Sequence, residues 1–157
     1  MNTPEIRHFE GAKLLGASAP MDLHSFNPGP LWGQLMPRLH TITNRTSEDL
    51  ISLRTYAGIP KFGPNENPQF TYWAGVETSD SHPELSHLEI PAGTYAVFQY
   101  KGRSSDSSIW IHIYSRWLPS SPWQLDERPH FERLGTKYKN DDPESEEEIW
   151  IPVKARD

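Results

Sequence analysis

Cysteine is absent from this sequence, so disulfides, thiolate nucleophiles and thiolate metal sites are excluded, and composition does not mark a redox compartment. Also missing is any run near the roughly 18 apolar residues that a membrane-spanning helix requires. The first twenty residues carry His8, Glu10 and Lys13 but no continuous apolar core of signal-peptide type, so a cytoplasmic location is expected. There is no surplus of positive charge: 15 Lys and Arg stand against 21 Asp and Glu, for a formal net charge of −6. Six of the acids crowd into Asp141–Glu148, and the rest of the chain is balanced. Neither part offers the basic surface that phosphate contacts need, which argues against direct nucleic-acid binding. The sequence has no Gly-x-Ser-x-Gly elbow, no Gly-rich phosphate loop and no dinucleotide fingerprint. Its seven histidines fall at no metal-ligand spacing, so neither a metal nor a cofactor is expected.

What is present is rings and prolines: six Trp, six Tyr, six Phe and 15 Pro in 157 residues. That length suits one domain with an ordinary core. Residues 6–16 read as an opening strand with Gly11 as a bulge. Leu31, Leu35 and Leu39, with Trp32 and Met36, recur at helical spacing, but Pro37 must kink the helix or stop it a turn early. Asp49–Ala57 and Phe70–Thr78 read as strands, joined by a Pro-, Gly- and Asn-rich surface loop over 58–68. His87–Tyr100 reads as one strand kinked near its start at Pro91-Ala92-Gly93. Ser104, Ser105 and Asp106 offer helix caps, and Trp110, Tyr114 and Trp117 fall on one helical face, although Ile109, Ile111 and Ile113 alternate as in a strand. The cap residues and the stop at Pro119 favour helix. Two strands, Pro129–Gly135 and Glu147–Lys154, close the chain. The order βαββ thus occurs twice, over about 5–80 and 86–155, and predicts an α+β fold: an antiparallel sheet, two helices and a central ligand cleft between paired halves.

Within the strand at 129–135, Glu132 faces one way with His130 and Leu134, and Phe131 and Arg133 face the other. A carboxylate in an apolar strand is either solvent-exposed, paired with Arg133 or Lys137, or buried toward a ligand that compensates it. The buried case calls for a positive charge, and the rings of Tyr72, Trp110, Trp117 and Trp150 are candidates to wall such a site, since a cation over a ring gains about 0.5–2 kcal/mol. The remaining aromatics are assigned to the core. The acidic run 141–148 is read as a solvated loop, with a negative rim at a pocket mouth as its functional alternative.

Leu31-Trp32, Tyr72, Gly75-Val76-Glu77, Ile90-Pro91-Ala92-Gly93-Thr94-Tyr95-Ala96-Val97-Phe98, Gly102, Trp117-Leu118-Pro119, Phe131-Glu132 and Glu148-Ile149-Trp150-Ile151-Pro152-Val153 follow one another along the chain. Taken in that order, these segments resemble the GyrI-like small-molecule-binding domain, which also serves as the effector-binding domain of AraC- and MerR-type multidrug-sensing regulators. The resemblance implies a tandem βαββ fold, Glu132 as polar anchor of the pocket, and hydrophobic or cationic-aromatic ligands. Some relatives instead hydrolyse electrophilic molecules with the matching glutamate. With little room before residue 6 for a DNA-binding unit, a stand-alone binding domain is expected. The expected role is effector binding or drug sequestration. A hydrolase acting through Glu132, or a protein-inhibiting module using the acidic run, is the alternative.

Overall fold

A computed structural model describes residues 2–157. The strands are β1 (Glu5–Phe9), β2 (Ala12–Asp22), β3 (Leu50–Tyr56), β4 (Gln69–Glu77), β5 (Ser86–Ile90), β6 (Gly93–Lys101), β7 (Trp123–Leu125), β8 (His130–Leu134) and β9 (Glu146–Ala155). The helices are α1 (Gly29–Leu35), α2 (Ser108–His112) and α3 (Leu118–Ser120). All pairings are antiparallel, in the order β1-β6-β9-β8-β3-β4-β2-β5, with β7 added beside β9. The fold is α+β, as the repeated βαββ order predicts. Each half contributes four strands to the order, and β3 and β8 join the halves at its centre.

Two places read as one strand are two. Gly11 adopts φ +92, a conformation that favours glycine; the chain leaves β1, which pairs with β6, and enters β2, which pairs with β4 and β5. Pro91-Ala92 makes the matching break in the second half, since β5 pairs back onto β2 while β6 joins β9. Each half therefore lends its short first strand to the other. Pro37 acts as a stop: α1 ends at Leu35 and a 3₁₀ turn continues over Met36–Thr41. The second helical segment is α2, then a π turn over Ile113–Trp117, then α3, with the Asp106 carboxylate accepting a hydrogen bond from Ser108 N–H at 2.9 Å.

Alternation along the strands sorts side chains onto two faces. One carries Phe9, Leu14, Ile51, Leu53, Trp73, Ile90, Tyr95, Val97, Phe131 and Trp150, drawn from all eight strands of the order, so the sheet curves around this ring-rich core. On the opposite face α1 packs Leu31 and Leu35 on Leu15, Tyr72, Ala74 and Val76. There α2 and its π turn pack Ile109 and Ile113 on Ala96, Phe98, Ile149 and Ile151. Between the two helices the central pair β3–β8 lies uncovered.

Candidate ligand-binding site

That uncovered pair forms a floor. In register, Ser52 lies opposite Glu132 and Arg54 opposite His130, all on the helix-bearing face. Above them is a cavity of two adjoining lobes, about 560 Å³ and about 700 Å³. Ser52, Arg54, Trp110 and Glu132 border both. Glu132 is half-buried, at the junction of the lobes and away from the outer surface.

The smaller lobe is walled by Tyr56, Phe62, Trp110, Tyr114 and His130. His130 is 6 % exposed, and burial, helped by the positive charges of Arg54 and Arg128, pushes its imidazole down to about 3. It is therefore neutral, and its Nδ1 lies 3.2 Å from the Tyr114 hydroxyl. The ring of Tyr114 borders the cavity while its hydroxyl is tucked against this buried imidazole, and burial raises the phenol well above its usual range. Phe62 stacks on Tyr114 at 4.1 Å, so the 58–68 loop does more than run over the surface; it closes one end of this lobe. Arg54 lies over Phe26 and Phe70, 4.7 Å from each ring centre.

The larger lobe holds the acids. A chain of polar contacts runs along its floor: Trp32 Nε1 donates to the Tyr72 hydroxyl at 3.1 Å, which lies 2.7 Å from Ser52 Oγ. Since Tyr72 accepts from Trp32, its own proton can go to Ser52, which leaves the serine hydroxyl free to donate toward the cavity. Burial pushes Tyr72 up to about 12. The unforeseen member is Glu147. It belongs to β9, is 8 % exposed, and its Oε2 is buried without a partner. Burial and then the neighbouring Glu132 carboxyl raise it far above the ordinary carboxylate range. Glu132 borders the same lobe, and a proton on Glu147 would let its orphaned oxygen donate to a neighbouring acceptor.

Of the residues expected to form the site, Glu132, Tyr72 and Trp110 meet at this cavity. Trp117 does not: its ring packs edge-on against Phe98 at 5.2 Å in the core beneath the second helix. The wider π turn between Trp110 and Trp117 breaks the i, i+7 relation that an α-helix would keep. Trp150 touches the floor, but its ring is on the opposite face, stacked on Phe131 at 5.2 Å, with its N–H donated to Glu148. Strand alternation, applied to Phe131 and pairing it with Trp150, accounts for this. The acidic run is a loop only in part, because Glu146–Glu148 are already β9 and Glu147 points into the cavity wall. Arg54, another polar residue missed, is a lone cation in the strand Leu50–Tyr56, the counterpart of the signal that marked Glu132. Among the described residues no cluster of three or more metal-ligating side chains occurs, and no helix is long and apolar enough to cross a membrane.

The fold recurs among known proteins. The chain is 28 % identical over 130 residues to the transcriptional regulator BrlR of Pseudomonas aeruginosa, an alignment covering 80 % of this chain and 46 % of the regulator. It is 34 % identical over 106 residues to a DNA gyrase inhibitor of Erwinia billingiae, covering 62 % of this chain and 66 % of that protein. The match thus spans under half of the regulator and about two thirds of the inhibitor. Among solved structures, the EcmrR C-terminal domain superposes with a TM-score of 0.68 at 14 % identity, covering 99 % of both chains. SAV2435 bound to tetraphenylphosphonium superposes at 0.59 and 15 % identity, covering 96 % of this chain and 93 % of that one. At those identities the structures speak for the fold alone. Residues 2–154 match the GyrI-like small molecule binding domain, and the chain belongs to that family.

Proposed function

We propose that this chain binds amphipathic aromatic cations, with the charged end against Glu132 and the flat end in the ring-walled lobe. The observation that carries this reading is the position of Glu132, a half-buried carboxylate at the junction of a cavity that is acidic on one side and aromatic on the other. Arg54 also borders the cavity as a counter-charge, but its guanidinium is held over Phe26 and Phe70. Asp106, Asp141 and Glu147 add to the acidic side. The bound tetraphenylphosphonium of SAV2435 and the regulator relatives are in keeping with an effector-binding or drug-sequestering role. The test is quenching of tryptophan fluorescence by tetraphenylphosphonium and by a neutral triphenyl analogue. Glu132→Gln is expected to weaken the phosphonium by about 1–3 kcal/mol, the scale of a lost charge-assisted contact, and to leave the neutral analogue nearly unchanged. Equal losses for both would assign Glu132 to structure.

A second reading is favoured by the carboxyl pair. Two neighbouring carboxyls, one of them pushed up by burial and by the other, are an arrangement that general acid–base chemistry uses, so hydrolysis of an electrophilic ligand is the alternative. Mass spectrometry of such a ligand after incubation distinguishes the two: intact ligand supports binding, and a product heavier by one water supports hydrolysis.

A further inference from the structure

We infer that Glu147 is a second cation-binding carboxyl, and that with Glu132 it makes the site discriminate ligands by charge number, a monocation being taken without proton release and a dication only by expelling the proton the pair shares. This rests on the cation-binding reading above and deepens it.

Three observations converge on the pair. Glu147 is nine-tenths buried, and its Oε2 has no partner. Its strand lies beside β8, where Glu132 is opposite Ile149; Glu147 and Ile149 share a face, so the two glutamates are diagonal neighbours across the ladder. Both border the larger lobe, so whatever enters it meets both carboxyls. The other titratable or charged groups that face this lobe are Arg54 on β3, Tyr72 on β4, Tyr100 on β6, Asp106 ahead of α2, and Tyr138 and Asp141 between β8 and β9. The three phenols stay neutral at neutral pH, since burial raises all three. Asp106 and Asp141 are held ionised by hydrogen bonds from Ser108 and Ser105 respectively. No neighbour therefore titrates between pH 6 and 9, and the carboxyl pair is what changes.

With one proton on it, the pair carries a single negative charge. One cation neutralises that charge directly. Two positive charges need both carboxylates ionised, so the proton must leave, and binding then tightens with pH in proportion to protons released.

Ethidium and propidium test this, because they share a phenanthridinium ring and are permanently mono- and dicationic. Both are titrated calorimetrically from pH 6 to 9, in two buffers of different ionisation enthalpy to count protons. In the wild type, propidium affinity is expected to rise close to tenfold per pH unit with nearly one proton released, and ethidium affinity to rise far less. Glu147→Gln should remove both the propidium slope and the proton release. Glu144→Gln, an exposed member of the same acidic run, should keep the wild-type profile. Equal slopes for the two dyes, or a propidium slope that survives Glu147→Gln, overturns the inference while cation binding stands. If neither dye binds at any pH, the cation-binding reading itself fails and this one with it.

Discussion

His130 offers a quantitative handle on how dry the site is. In the unfolded chain an imidazole titrates near 6.5; in the folded one it is held down to about 3 by burial and two arginines. Between those values the unfolded state binds the proton and the folded state does not, so stability is present at neutral pH and lost as pH falls. At pH 5 the unfolded imidazole is roughly 97 % protonated and the folded one almost neutral, a difference that costs about 2 kcal/mol by linkage. Exposure of only 6 % makes a large solvent-screening discount unnecessary. The perturbation is His130→Asn, which keeps an acceptor for the Tyr114 hydroxyl but cannot ionise. Urea unfolding followed by tryptophan fluorescence at pH 8 and pH 5 gives the stability of each protein at each pH. The variant will be weaker at pH 8 because the shorter side chain leaves space, but its loss on acidification should be smaller than the wild type's by about 2 kcal/mol. Other titrating groups cancel in that difference. Parallel pH profiles would refute the argument and mean that water reaches the imidazole.

Glu147 should act in the opposite sense. Its folded pKa is raised, so its contribution is fully present below about 4.3 and declines as pH rises; Glu147→Gln is expected to gain about 1–3 kcal/mol relative to wild type between pH 5 and pH 8, read by the same unfolding curves. Arg133 donates to both oxygens of the buried Glu77, with Asp49 at 3.5 Å. Glu77→Ala should therefore destabilise by about 1–3 kcal/mol, since it removes a charge-assisted contact and leaves Asp49 as the acid remaining beside the guanidinium, and a double-mutant cycle with Arg133→Met should recover part of that loss. Gly16 faces Gly75 across β2 and β4, and a Cβ there would run into the Ala74 carbonyl oxygen; Gly16→Ala should cost at least about 1–3 kcal/mol by overpacking, visible as a lowered thermal midpoint.

Much of the fold was legible because periodicity carries it. Leu31 and Leu35 against Pro37 marked the end of α1, and Phe70, Tyr72, Ala74 and Val76 marked the face of β4 that the helix covers. The hidden part was long-range pairing. Nothing local to Gly11 or Pro91 says that the strand before each belongs to the other half of the sheet. The short β7 carries too few residues to show alternation, and the chain enters it directly after Pro122.

The site was legible to the same depth and failed for the same reason. Glu132 stood out because one charged residue interrupts an apolar alternation, and the reading of its face was correct. Glu147 is masked by company: among six acids in eight positions, nothing in the sequence distinguishes the one that is buried from the five that are solvated. Register makes the distinction. The β6–β9 ladder sets Glu147 opposite Tyr100 and Glu148 opposite Gln99, and alternation then turns one carboxyl into the cavity and the other toward the Gln99 amide, which donates to it at 2.8 Å. Trp150 follows the same rule in reverse. Its neighbours Ile149 and Ile151 belong to the helix-covered core, so the indole must point to the other face, whatever its chemical suitability as a cation receptor. Shifting β9 by one residue against β6 would turn Trp150 and Glu148 together toward the helix-covered face and carry Glu147, Ile149 and Ile151 to the ring-rich one, and the cost of exchanging buried isoleucines for a charge holds the register, and with it the pair of carboxyls, in place.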